Sequence, residues 1–338
     1  MAPTTDTQRM ALAIELGASV RTRTAPNPWV GAVLVAPDGS VHHGATEPPG
    51  GRHAEIVALD AARAAGGDAL TRGSVVYVTL EPCAHTGRTG PCAEALVAAG
   101  VRRVVVGVPD PDPLVAGAGL ARLRDAGVAV ETGCLAGEVA DQLEAYLHHR
   151  RTGRPWVVLK LAATLDGRTA AADGTSQWIT GPEARADAHR LRAESQAIVV
   201  GAGTVAADDP SLTTRLVDGP DPRRIVLGRA PAGAKVHPCE EWTPDDGDLV
   251  DLLARLGHEG VVQVLVEGGA TVAGELHRAG LVDTYVLYLA PALMGGDDGP
   301  GLFRGPGASS IDELWRGEVA SVVPLGADIR VVMKKEQG

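Results

Sequence analysis

Three short segments carry side chains that can do chemistry together: His53-Ala54-Glu55, Pro82-Cys83 and Pro91-Cys92. One imidazole and two thiolates make three ligands for zinc, and a catalytic zinc keeps a fourth position open for water. Glu55 stands two residues past His53 and is left over as a proton carrier. Zinc lowers the pKa of such a water to about 7, which yields a nucleophile at neutral pH. A structural zinc would take a fourth protein ligand and leave Glu55 without a task. Two further segments run from apolar stretches into glycine: Val199-Val200-Gly201-Ala202-Gly203-Thr204 and Val266-Glu267-Gly268-Gly269-Ala270-Thr271. Such turns free backbone N–H groups near a helix start, which suits phosphate. Tight strand–helix packing is the alternative reading of both. Cys134 and Cys239 stand apart from any such cluster and read as small hydrophobes.

The elements that must position these groups alternate between helix and strand patterns, which predicts an α/β chain. The first half predicts helices over 7–17, 53–64, 91–99, 120–126 and 138–150, and strands over 30–35, 74–80, 101–108 and 128–131. Both cysteines then lie beyond the carboxyl end of strand 74–80, where open α/β sheets place their sites. Pro91 suits the first turn of a helix, so Cys92 sits at that helix's positive end. Dipole and metal both favour its thiolate. Thr152-Gly153-Arg154-Pro155 interrupts the pattern and reads as a linker. It divides the chain into domains 1–150 and 151–338. The second half predicts strands over 156–161, 197–200, 224–227, 261–266, 283–289 and 329–333, forming a mostly parallel sheet, and helices over 182–193 and 270–279. The Pro- and Asp-rich stretch 231–248 reads as loop.

A chain of 338 residues fits two domains. Hydrophobic residues make up 45% of it but aromatics only 3%, so aliphatic side chains must fill both cores. The net charge of −11 gives no general attraction to nucleic acid. Any bound phosphate must be held by a few local Arg or Lys side chains and backbone amides. No apolar run reaches the roughly 18 residues of a membrane span. The start, Met1 to Asp6, lacks the basic-then-apolar pattern of a signal peptide. A cytoplasmic protein is expected, with its four cysteines as thiols or ligands.

His-x-Glu followed by Pro-Cys and a second Cys is the ligand pattern of zinc nucleobase deaminases. Many of these use Cys-x-x-Cys, whereas eight residues separate Cys83 from Cys92 here. The stretch Thr79-Leu80-Glu81-Pro82-Cys83-Ala84-His85-Thr86-Gly87-Arg88-Thr89-Gly90-Pro91-Cys92 closely resembles the deaminase of riboflavin biosynthesis. So do Asn27-Pro28-Trp29-Val30-Gly31-Ala32-Val33 and Asp110-Pro111-Asp112-Pro113-Leu114-Val115-Ala116-Gly117. The resemblance covers essentially the whole chain. It implies a cytidine-deaminase-like three-layer α/β/α domain acting on a diamino-ribosylamino-pyrimidinone 5′-phosphate, converted to the corresponding uracil. It also implies that Asn27, His85, Arg88 and Asp110 contact substrate, with His85 and Arg88 suited to the phosphate. The chain departs from the family where Ala45 or Thr46 replaces a frequent His, Asp112 an Asn, and Ala118 a Lys or Arg.

The second half resembles the reductase of the same pathway. The carriers are Lys160-Leu161-Ala162-Ala163-Thr164-Leu165-Asp166-Gly167, Ser176-Gln177-Trp178-Ile179-Thr180, Gly203-Thr204-Val205-Ala206-Ala207-Asp208-Asp209-Pro210 and Glu267-Gly268-Gly269. That resemblance implies a dihydrofolate-reductase-like α/β domain that passes hydride from NADPH to C1′ of the ribosyl group, opening it to ribityl. Ala163, Trp178, Thr204, Asp208 and Gly269, Ala270, Thr271, Val272, Ala273, Gly274 and Glu275 would then lie along the cofactor. Ser176, Arg192, Leu212, Arg215 and Glu267 would hold substrate, the two arginines at its 5′-phosphate. Gly228-Arg229 stands where this family has Asp-Ser. The expected partners are small phosphorylated pyrimidines, Zn2+ and NADPH, with no nucleic acid or membrane. A homodimer or homotetramer is expected, with strands 283–289 and 329–333 at the interface. A nucleic-acid-editing deaminase shares the zinc motif, but the negative charge and scarce aromatics speak against it. A zinc-stabilised binding protein with a degenerate reductase is the non-enzymatic alternative.

Overall fold

The structure is a computed structural model, and it describes residues 4–84, 90–113 and 115–335. The chain forms two compact units, Met1–Thr152 and Gly153–Gly338. No helix among the described residues is long and apolar enough to cross a membrane.

The first unit opens with α1 (Asp6–Ala18), whose Thr5 and Gln8 form a capping box, and α2 (Arg21–Thr24). Strands β1 (Gly31–Val35) and β2 (Val41–Ala45) follow as a hairpin. Then come α3 (Ala54–Gly66), α4 (Asp68–Thr71), β3 (Val75–Leu80) and α5 (Cys92–Ala98). The unit closes with β4 (Arg103–Val108), α6 (Ala118–Asp125), β5 (Ala129–Thr132), α7 (Ala136–Gln142) and α8 (Glu144–Thr152). Its sheet has the order β2-β1-β3-β4-β5. β3 pairs antiparallel with β1 and parallel with β4. Every residue of β1 and β3 is buried, so both faces of the sheet are covered. Helices α1 and α7 pack together on the sheet, and α3, α5 and α6 form a second group. The result is the three-layer arrangement expected.

One expected element is split. The predicted helix over 138–150 is two helices, because Leu143 breaks the ladder at φ −100° and ψ 12°. The break turns α8 so that Ala145, Tyr146 and Leu147 bury. The strand β2, with sequence Val-His-His-Gly-Ala, has no apolar alternation and is held by its pairing with β1.

The second unit begins with β6 (Trp156–Thr164), α9 (Pro182–Glu194), β7 (Ala197–Gly201) and α10 (Ala202–Asp208). β8 (Arg223–Leu227) and β9 (Glu240–Trp242) follow, so the stretch read as loop contains a short strand. Next are α11 (Leu249–His258), β10 (Gln263–Val266), α12 (Ala270–Arg278) and β11 (Thr284–Ala290). β12 (Gly317–Leu325) and β13 (Asp328–Lys335) close the sheet. The strand order is β12-β13-β11-β6-β10-β7-β8-β9. All pairings from β11 to β9 are parallel, and only β11-β13 and β13-β12 are antiparallel. β11 is bonded on both edges, by β6 and β13, and β13 is bonded by β11 and β12, so neither offers a free edge. The edge strand on this side of the sheet is β12, where Val319 and Val322 are exposed.

Candidate active site

Each member of the His–Cys–Cys set sits at the end of an element. His53 is the N-cap of α3, in extended backbone that frees its ring from the helix. Cys83 lies three residues past the end of β3, and Cys92 is the first residue of α5. Pro91 is that helix's N-cap rather than its first turn, which still leaves Cys92 at the positive end. His53 Nδ1 is 3.6 Å from Cys83 Sγ and 3.2 Å from Cys92 Sγ. The three ligand atoms all lie within 4.8 Å of one another. Zinc bonds of 2.0–2.3 Å in tetrahedral geometry separate ligand atoms by about 3.3–3.8 Å. The donor set therefore fits zinc.

Glu55, in the first turn of α3, is buried beside the set. Burial pushes its carboxyl up to about 7, against the pull of His53. A carboxyl so placed can both take and return a proton near neutrality. The sulfurs behave as a pair. A hydrogen bond with Cys92, then one with His53, draws the Cys83 thiol down to about 4, while the same sulfur contact and burial push Cys92 up.

A cavity of about 670 Å³ opens over this centre, and Asn27, His53, Glu55, Cys83 and Asp110 line it. That volume holds a substrate larger than a bare pyrimidine ring. Asp110 lies just past β4 and is buried. Its Oδ2 accepts from the Tyr146 hydroxyl at 3.0 Å, and its Oδ1 accepts from the Asp112 N–H at 2.9 Å. Burial raises its pKa. His85 and Arg88, expected at the phosphate, lie outside the described residues.

In the second unit the two glycine turns follow the carboxyl ends of β7 and β10. Glu267 directly follows β10 and is half-buried. Burial opposes its charge, but Arg192 and Lys160 overcome that and hold its pKa at about 2. Arg192 Nε and Nη2 donate to the two Glu267 oxygens at 2.6 and 2.9 Å, and its Nη1 donates to the Thr213 carbonyl at 3.1 Å. Its fork is thus already engaged, whereas Arg215 is exposed, with its backbone N–H held by His189 Nδ1 at 3.1 Å. Leu212 is buried with φ at 53°. The Ser176 hydroxyl donates to Asp208 at 2.8 Å, which joins an expected substrate contact to an expected cofactor contact. Trp178 is 67% exposed, with the Arg185 guanidinium 4.7 Å from its ring centre, so it is not a core residue. Ala163 is buried near the end of β6. Gly269 is the N-cap of α12, whose first residues run from Ala270 through Thr271, Val272, Ala273 and Gly274 to Glu275, and no side chain caps it. A Cβ on Gly269 would stand 3.0 Å from Thr204 Oγ1, so this glycine keeps the cradle between the two turns open. Uncapped amides beside such a cradle fit the phosphates of a dinucleotide. Packing has a share as well, since a Cβ on Gly268 would meet Val272 at 2.7 Å.

Comparison with known proteins finds a deaminase and a reductase family in the same chain. Residues 155–331 match the family model of the RibD C-terminal domain, and residues 3–108 match that of the cytidine and deoxycytidylate deaminase zinc-binding region. The riboflavin biosynthesis protein RibD of Mycobacterium tuberculosis is 45% identical over 95% of this chain and 95% of its own. The Escherichia coli protein of the same name is 40% identical over 96% of this chain and 98% of its own. The chain belongs to the RibD family. Among solved structures, Acinetobacter baumannii RibD superimposes with a TM-score of 0.90 at 38% identity, covering 98% of this chain and 99% of that one. A Thermotoga maritima structure described as a diaminohydroxyphosphoribosylaminopyrimidine deaminase/5-amino-6-(5-phosphoribosylamino)uracil reductase gives 0.87 at 33% identity, covering 98% of each chain.

In this RibD-family chain the cavity has residues that the sequence reading did not single out. Glu81 precedes the Pro-Cys dipeptide. Its buried carboxylate accepts four backbone N–H groups, from Asp110, Gly117, Gly119 and Leu120, at 3.0–3.3 Å. A Cβ on Gly119 would meet the Pro82 carbonyl at 1.8 Å, so only glycine lets that loop close on the ligand strand. Tyr146 and Arg150 come from α8, four residues apart and therefore on one helix face. The i, i+4 pairing of an aromatic and a cation was the available signal. Which way that face turns depends on the break at Leu143, which the pattern did not show.

Proposed function

We propose that this RibD-family chain carries out two successive steps of riboflavin biosynthesis on one phosphorylated pyrimidine. Residues 1–150 deaminate the diamino-ribosylamino-pyrimidinone 5′-phosphate, and residues 151–338 reduce the ribosyl group of the resulting uracil with NADPH. The observation that carries the first assignment is the compact His53–Cys83–Cys92 set with a buried carboxyl, Glu55, at the base of a cavity.

Zinc, when held by His53, Cys83 and Cys92, supplies a water of lowered pKa. As water adds to the amino-bearing ring carbon, Glu55 would carry one of its protons to a ring nitrogen and the other to the amine that departs as ammonia. Asn27 and Asp110 read polar edges of the ring or sugar, and His85 and Arg88 act at the phosphate. NADPH, when bound, supplies hydride. The turn at Gly269 and the α12 residues to Glu275 hold its phosphates, with Ala163, Trp178, Thr204 and Asp208 along the cofactor. Glu267, Ser176, Leu212, Arg192 and Arg215 hold the uracil substrate. Glu267 and Arg192 act there as one bidentate pair. The chain works as a cytoplasmic homodimer or homotetramer.

The test uses the purified full-length chain loaded with zinc. It should release ammonia from the diaminopyrimidine phosphate, then oxidise NADPH once the uracil has formed. Ammonia release without NADPH oxidation would reject the second assignment. NADPH oxidation restricted to added uracil substrate would reject the first.

A further inference from the structure

We propose that Arg150, at the end of α8, grips the phosphate of the pyrimidine in the first cavity, with Asp112 and Tyr146 holding the guanidinium in place. This rests on the deaminase reading above and names a residue that reading leaves unused. Among the described residues that line the cavity, Arg150 is the one Lys or Arg, and the carboxylates Glu55, Glu81, Asp110 and Asp112 line it too. Arg150 would add a cation fixed in the cavity wall to His85 and Arg88, which lie outside the described residues.

The side chain is built into the wall rather than loose on the surface. Its guanidinium carbon lies 5.1 Å from the centre of the Tyr146 ring, a stacking that Arg favours. The Tyr146 hydroxyl is fixed by Asp110, and Asp110 accepts the Asp112 N–H. Asp112 Oδ2 stands 3.4 Å from Arg150 Nε, which closes the ring of contacts. That last distance is longer than a good N–H···O bond. Arg150 Nε is accordingly a buried donor without a hydrogen-bond acceptor among the described residues. Asp112 therefore steers the guanidinium without satisfying it. A phosphate offers the planar fork two acceptors at once and a stronger charge. The side chain is 33% exposed, enough to meet a ligand entering from solvent.

The location also bears on selectivity. Asp110, Asp112, Tyr146 and Arg150 all fall between residues 108 and 155, outside both matched family models. The zinc-binding region supplies the general chemistry, and this intervening segment supplies a cation that separates a nucleotide from its nucleoside.

The experiment measures ammonia release by zinc-loaded full-length enzyme on the phosphorylated pyrimidine and on its dephosphorylated counterpart. Inorganic phosphate serves as a competing probe. Arg150→Gln should raise KM for the phosphorylated substrate by about 10- to 100-fold, the range for losing a charge-assisted contact. Its kcat should stay within about threefold, and its KM for the dephosphorylated substrate should be unchanged. Arg150→Lys should recover part of the loss. Asp112→Asn, which removes the competing carboxylate, should make inorganic phosphate a stronger inhibitor. An equal loss on both substrates, or none on either, would overturn the proposal. So would an unchanged phosphate inhibition constant in D112N, whatever the fate of R150Q. Wild-type enzyme inactive on both substrates would overturn the deaminase reading itself.

Discussion

Burial brings the Glu55 carboxyl up to about 7, the range that the proposed proton transfer needs. The carboxyl touches the metal set without belonging to it. Glu55→Gln should therefore bind zinc at wild-type stoichiometry yet lose about 10²–10⁴ in the rate of ammonia release. Metal analysis and an ammonia assay on one preparation check both halves, and retained activity would reject the proton role. His189 offers a pH test in the second unit. Burial, then the charges of Arg192 and Arg215, push its pKa down to about 4. An unfolded histidine titrates near 6.5. As pH falls from about 6.5 to 4, the unfolded chain takes up a proton that the native one refuses, so stability is lost across that window. The melting temperature of wild type should fall more steeply there than that of His189→Gln. Parallel slopes would count against it.

At the level of elements, the loop after β4 is shaped by a carboxylate on a different strand end. Glu81 collects four amides of that loop and of α6, and the same segment carries Asp110 and Asp112. Glu81→Gln places an NH2 group against two of those amides and leaves them without an acceptor. It should cost about 1–3 kcal/mol of stability and raise the deaminase KM while zinc stays bound. Denaturant unfolding and substrate titration check this, and a variant with wild-type KM would show that the loop needs no such anchor. The central strands were legible in the sequence because both faces are buried and the apolar runs are continuous, as in Val75–Leu80 and Arg103–Val108. β2 and β12 were not, because an edge strand takes its conformation from a neighbour's hydrogen bonds. β12 has Gly and Pro in its sequence and exposed valines. α11 also escaped the sequence reading, although Asp248 and Asp251 mark its start with a capping box.

For the molecule as a whole, each unit contains its own set of reactive groups: the cysteines and Glu55 in Met1–Thr152, the Glu267–Arg192 pair and the glycine turns in Gly153–Gly338. Stripping zinc with a chelator should abolish ammonia release and leave NADPH oxidation with added uracil substrate intact. Loss of both activities together would show that the second unit also depends on the metal.

The sequence by itself determined the candidate ligand set, the carboxyl beside it, the two chemistries of the family and the α/β class. These depend on residue types at short spacing and on local periodicity, and both are written along the chain. Only the tertiary structure decided that Glu81 anchors the substrate loop, that Arg192 is already committed to Glu267, and that α8 turns Tyr146 and Arg150 into the cavity. Those facts join residues separated by 29 to 75 positions, or hang on one backbone break at Leu143. No local pattern encodes a meeting that exists only once the sheet has brought its strand ends together.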